Sequence, residues 1–148
     1  MQSIIQLIAA LFGALGFAAF FNIRGKKLIF ATLGGVFAWG SYLIAGCLTD
    51  NPFLCAFVAS VLLTLYSECM ARIHKTPVTL FIVSSAIILI PGASLYRSMN
   101  NLMRMQWQEF GKESMYTLLF AACMSAGITF TTLVFRVIWK AVYRQRRY

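Results

Sequence analysis

Few side chains in this sequence are equipped for chemistry, and most of those stand inside or beside apolar runs. Glu68 is the single acid within the run 53–71, and Arg72 follows it four residues later. On a helix the two share a face, and Glu ahead of Arg is the favourable order for an ion pair. A carboxylate in apolar surroundings has a second use, because such groups often mark ion and proton paths. Two readings therefore stand for Glu68 and Arg72: a structural pair near a helix end, or a gate and proton-coupling site. A second group lies in the stretch IILIPGASLYR, residues 87–97. Pro91 lacks an N–H and its ring clashes with the carbonyl four residues earlier, and Gly92 relaxes the backbone further. Tyr96 and Arg97 then offer a hydroxyl and a guanidinium, which suit a carboxylate and equally suit the polar rim of a membrane. Broken helices of this kind either build solute sites in carriers or serve as packing kinks.

No catalytic set converges. There is one histidine, His74, between basic residues, and no P-loop, G-x-S-x-G or H-E-x-x-H pattern. The four cysteines form no C-x-x-C and no Cys/His cluster, so no metal site is expected. Cys47 and Cys55 flank the short loop CLTDNPFLC and would bond to each other only on an oxidising side. The sequence thus predicts no enzyme and no cofactor.

The elements that must position these residues are set by composition. Of 148 residues, 60% are hydrophobic and 11% charged, against about 25% charged in a soluble domain. Mean hydropathy is +0.76. An aqueous fold of this size cannot hide so much apolar surface, so an all-α membrane protein is expected. Runs of about 20 apolar residues cross a bilayer, and five candidates appear: 3–21, 28–48, 53–71, 78–95 with the Pro-Gly inside it, and 115–138. The first is expected to be retained as a helix, because Met1-Gln2-Ser3 carries no charge and the run exceeds a usual signal sequence. Residues 97–114 are too polar to span and read as an interfacial helix or a solvated loop.

The net charge of +9 is clustered at the ends of these runs. Arg24, Lys26 and Lys27 follow the first, Asp50 alone follows the second, and Arg72, His74 and Lys75 close the third. Arg136, Lys140, Arg144, Arg146 and Arg147 form the tail. Rich and poor loops alternate, which predicts the N-terminus outside and the C-terminus cytoplasmic, as an odd number of spans requires. Basic residues bordering apolar spans point to lipid headgroups and away from nucleic acid. Small residues recur at Ala9, Gly13 and Gly16, at Gly35, Gly40 and Gly46, and at Ala122, Ser125 and Ala126. They suit close helix packing, within this chain or against a partner.

The stretch SECMARIHKTPVTLFIVSSAIILIPGASLYRSM, residues 67–99, resembles the signature of the threonine/serine exporter family, in the second half of that ten-helix carrier. The pattern is a helix ending in E-x-x-A-R, a short basic loop with Pro, then a helix interrupted by P-G and closed by Y-x-x-M. Here these positions are Glu68, Ala71, Arg72, Pro77, Pro91, Gly92, Tyr96 and Met99. GFAAFFNIRGKKL, residues 16–28, is similar to the family's first loop, with Asn22 ahead of the basic turn. Ile88 stands where many relatives carry a second Pro, and Ala93 and Ser94 where they are richer in Gly, which implies a milder break. The resemblance implies a half-carrier in a bacterial inner membrane, completed by a larger membrane subunit with the other five helices. It implies export of threonine, serine or a dicarboxylate such as succinate, coupled to protons. Pro91, Gly92, Tyr96 and Arg97 would face the solute path, and Asn22 would line it or cap the first helix. The alternative is a homo-oligomeric channel or scaffold.

Overall fold

The apolar runs fold as helices because in oil each backbone N–H and C=O must be satisfied within its own segment. The computed structural model describes residues 2–145. Its helices are α1 (Gln2–Phe20), α2 (Lys26–Leu48), α3 (Pro52–Ile73), α4 (Val78–Ala86), α5 (Gly92–Met103) and α6 (Trp107–Gln145), with a 3-10 turn at Ile87–Leu89. Four segments, Ser3–Phe20, Lys26–Leu48, Pro52–Ile73 and Trp107–Trp139, are long and apolar enough to cross a membrane. Val78–Leu89 and Gly92–Met103 are long and apolar enough only together, bent by 59° as a broken span or a re-entrant loop. The chain is an all-α membrane protein, with no strand among the described residues.

Helix ends follow local chemistry. Asn51 caps α3, its side chain accepting from the Phe53 N–H at 3.0 Å, with Pro52 in the first turn. Three helices end on a left-handed residue: Asn22 after α1, Lys75 after α3 and Met105 after α5. Each end makes the paired bonds of a Schellman motif. For α1 the Ile23 N–H donates to Ala18 O at 3.1 Å and the Asn22 N–H to Ala19 O at 2.9 Å. Ile23 then packs on Ala18, so the turn is also closed by an apolar contact.

The bundle is held at two apolar levels. Ala18, Ile23, Ala31, Ala71 and Phe81 form one, and Ala38, Ala56, Ala59, Leu63, Leu89, Phe120 and Met124 the other. Close approach comes from small residues. A methyl group at Gly35 would lie 2.5 Å from Ala14 Cβ, joining α2 to α1. Gly34 is pressed against Ser85 and Tyr66, and Gly127 against Ser60 and the Phe57 carbonyl. Gly35 thus packs within the chain. Gly16 and Gly46 face open space, and Ala122, Ser125 and Ala126 are exposed.

Residues 97–114, expected as an interfacial segment, divide between two helices. α5 runs on to Met103, and α6 opens at Trp107. The reason is mutual satisfaction of their polar groups: Arg97 pairs with Glu113 at 3.0 Å, and Ser98 Oγ lies 2.8 Å from Ser114 Oγ. α6 has 39 residues, about 58 Å at 1.5 Å per residue, well beyond the roughly 30 Å hydrocarbon thickness. Arg146 and Arg147 of the basic tail lie outside the described residues.

Candidate functional site

Pro91 folds the backbone sharply between α4 and α5. Its φ of −76° and ψ of 68° are those of an inverse γ-turn. The Gly92 N–H donates across it to the Ile90 carbonyl at 2.8 Å. α5 then begins, with the Leu95 N–H donating to Pro91 O at 3.1 Å. A first helical turn leaves N–H groups without acceptors. Among the described residues, those of Ala93 and Ser94 have none, and no side chain caps this end.

These groups border a cavity of about 290 Å³. Residues 91–94 form one side of it, and Trp39, Tyr42, Tyr116 and Phe120 form the rest with the end of the 3-10 turn. The broken backbone therefore borders a half-open cleft, with Ser94 buried in its wall and Ile90, Gly92 and Ala93 exposed. Trp39 Nε1 is buried without a hydrogen-bond acceptor in the protein. The positive end of the α5 dipole points here, so an anion would be favoured. Gly92 is not demanded by the backbone, since it is absent from the positive-φ residues, and a methyl group on it would meet nothing within 4 Å. The turn is centred on Pro91, and Gly92 leaves room beside it.

A second cavity, of about 310 Å³, lies further along α5 and is lined by Ser94, Arg97, Glu109, Lys112, Glu113 and Tyr116. Ser94 and Tyr116 line both cavities. Arg97 Nε sits 3.0 Å from Glu113 Oε1, and Arg97 Nη2 donates to Ser94 Oγ at 3.2 Å. Lys112 Nζ is 2.9 Å from Glu109 Oε1. Arg97 lines this second cavity and not the one at the break. Tyr96 is 73% exposed and lines neither cavity.

The pair expected from the sequence forms at the far end of α3. Arg72 Nη2 and Glu68 Oε2 are 3.1 Å apart, with the Glu68 side chain 7% exposed and that of Arg72 31%. The Arg72 guanidinium lies 3.8 Å from the Trp139 ring centroid and 5.1 Å from that of Phe135. α6 thus covers the pair with two aromatic faces, a cation–π arrangement. Ser67 Oγ, Arg72 Nε, His74 Nε2 and Thr76 Oγ1 are buried nearby without partners. The His74 ring packs on Phe30 at 4.6 Å. Asn22 sits at this same end, in the Schellman turn after α1, and its Oδ1 accepts from Arg24 Nε at 2.8 Å. The 12 residues 78–89 separate this end from the break, roughly 18 Å of helix. Asn22 is therefore not brought to the cavity.

Trp39, Tyr42, Tyr116, Phe120 and Glu113 were not anticipated. Trp39, Tyr42, Tyr116 and Glu113 signalled only by polar or amphipathic character in or beside apolar runs, and Phe120 by nothing that sets it apart from its neighbours. Among the described residues no cluster of metal-ligating side chains occurs. All four cysteines are free, and Cys55 Sγ donates to Thr49 O at 3.4 Å.

A multi-helix membrane protein with an interrupted helix bordering a cleft between helices is an architecture found in secondary carriers. Residues 6–134 match the family described as Threonine/Serine exporter, ThrE, and the chain belongs to that family. It is accordingly a membrane transport protein of the threonine/serine exporter type. No solved structure matches it.

Proposed function

We propose that the chain is one half of a two-component, proton-coupled exporter of small carboxylate-bearing metabolites in a bacterial inner membrane. The solutes are threonine and serine or a dicarboxylate such as succinate. The observation that carries this reading is the break at Pro91. It leaves the Ala93 and Ser94 N–H groups free beside a half-open 290 Å³ cavity. A half-helix N-terminus inside a bundle is suited to a carboxylate. Arg97 stands one turn beyond, on the path between that site and the outer face.

A chain of five spans, starting outside and ending in the cytoplasm, complements a partner half that starts inside and ends outside. The two halves would then be related by inversion, and the larger subunit would close the cavity from the open side. Glu68 and Arg72 belong to the cytoplasmic end, as gate or proton-linked pair. Two experiments test this. Pull-down of the tagged chain from native membranes should recover a larger membrane protein. Recovery of the chain alone, as a symmetrical assembly, would favour a homo-oligomeric channel or scaffold. Efflux of labelled threonine and of succinate should require both subunits and a proton gradient.

A further inference from the structure

Carboxylate recognition leaves open what reads the other end of the solute. The cavity between α5 and α6 bears on this. Four charged side chains line it, Arg97 and Lys112 against Glu109 and Glu113, so its formal charge sums to zero. A site for a dianion would carry surplus positive charge to offset it. A neutral site with its charges held apart on two helices instead complements a zwitterion.

The geometry is specific about which pair matters. Arg97 and Glu113 are 3.0 Å apart and come from facing helices, whereas Lys112 and Glu109 pair along α6 itself at 2.9 Å. Glu113 is also the more enclosed acid, at 25% side-chain exposure against 55% for Glu109. The Arg97–Glu113 pair is bordered by Ser94, whose Oγ already accepts from Arg97, and by Tyr116. These same two residues line the cavity at the break. A solute whose carboxylate leaves the α5 N-terminus therefore next meets Arg97, about 7.5 Å along the helix.

We infer that Glu113 is the selectivity residue of this carrier half. It pairs with Arg97 when the site is empty, and it receives the solute's ammonium group when the solute carboxylate takes its place on Arg97. The inference rests on the carrier reading above and adds the group that separates an amino acid from a dicarboxylate. In a single step both members of the resident ion pair exchange one partner for another. Neither charge is left without a partner, which matters most for Glu113, the more enclosed of the two. A succinate in the same position would set its second carboxylate against Glu113.

The test is equilibrium binding to the full chain assembled with its larger subunit in nanodiscs, competing a labelled L-threonine with four probes. These are L-threonine, N-acetyl-threonine (no ammonium), L-threoninamide (no carboxylate) and succinate. The unaltered chain should prefer L-threonine to N-acetyl-threonine and to succinate by about tenfold or more, the worth of one charge-assisted hydrogen bond. Glu113→Gln keeps the shape and removes the charge. It should weaken L-threonine about tenfold, improve succinate, and bring the ratio of L-threonine to N-acetyl-threonine close to one. Glu113→Asp should restore the preference, and Arg97→Gln should weaken every carboxylate probe alike. A purely structural Glu113 would lower all affinities together and leave the ratios unchanged, which would overturn the inference while leaving the carrier reading intact. Failure of the unaltered two-subunit assembly to bind any of the four probes would overturn the solute-binding reading, and this inference with it.

Discussion

Gly92→Ala separates a residue kept for the fold from one kept for the solute. Nothing lies within 4 Å of the added methyl group, and Gly92 does not adopt a positive φ. Alanine at a compatible position narrows the unfolded ensemble and stabilises by about 0.4–1 kcal/mol. The folded chain should therefore be unharmed or slightly firmer. The methyl group would nevertheless stand at the mouth of the cavity, beside the free N–H groups of Ala93 and Ser94. Displacing a carboxylate from one of them forfeits a charge-assisted hydrogen bond, about 1.5–3 kcal/mol. Apparent affinity should fall by roughly 10- to 100-fold. The assays are thermal unfolding of the purified chain and concentration-dependent efflux of labelled threonine from cells carrying both subunits. Unchanged efflux affinity in a variant of normal stability would refute the reasoning, because the space beside Gly92 would then serve no solute.

Other perturbations test separate parts of the account. Met105 holds a left-handed conformation, φ 58°, at the end of α5. Met105→Gly should relieve about 1 kcal/mol of strain, offset in part by glycine's greater unfolded entropy, and raise thermal stability. Gly127 lies against Ser60 and the Phe57 backbone, so Gly127→Leu should force α3 and α6 apart and lower stability by about 1–3 kcal/mol. Normal yield and melting behaviour for that variant would contradict the packing. Glu68→Gln keeps an acceptor for Arg72, whose guanidinium stays between α3 and the Trp139 ring. It should preserve expression and slow proton-driven efflux several-fold; an unchanged rate would remove Glu68 from the mechanism.

The helical spans were legible because hydropathy over about 20 residues reports transfer from water to oil, whatever the partners. The break was legible because proline's missing N–H is a local property. The pairing inside residues 97–114 was not, since it joins two helices: Arg97 with Glu113, Ser98 with Ser114. Hydropathy counts each of these as exposed. The cavity wall was hidden for a related reason. Trp39 and Tyr42 come from α2, and Tyr116 and Phe120 from α6, so only the fold joins them to Pro91. Asn22 carried a genuine signal, but for backbone geometry, as asparagine tolerates the left-handed turn that closes α1. Gly92 sits beside the Pro91 turn without a positive φ, so the backbone there does not itself require glycine.

The central claim is that the backbone unwound at Pro91 borders a wet, solute-accessible cavity. The direct measurement is the labelling rate of a single cysteine at position 93, introduced after Cys47, Cys55, Cys69 and Cys123 are replaced by serine or alanine, using a water-soluble maleimide on membranes holding both subunits. The account predicts rapid labelling that L-threonine slows in proportion to its occupancy. Labelling no faster than at an apolar exposed position such as Leu118, or a rate indifferent to every solute tried, would contradict it.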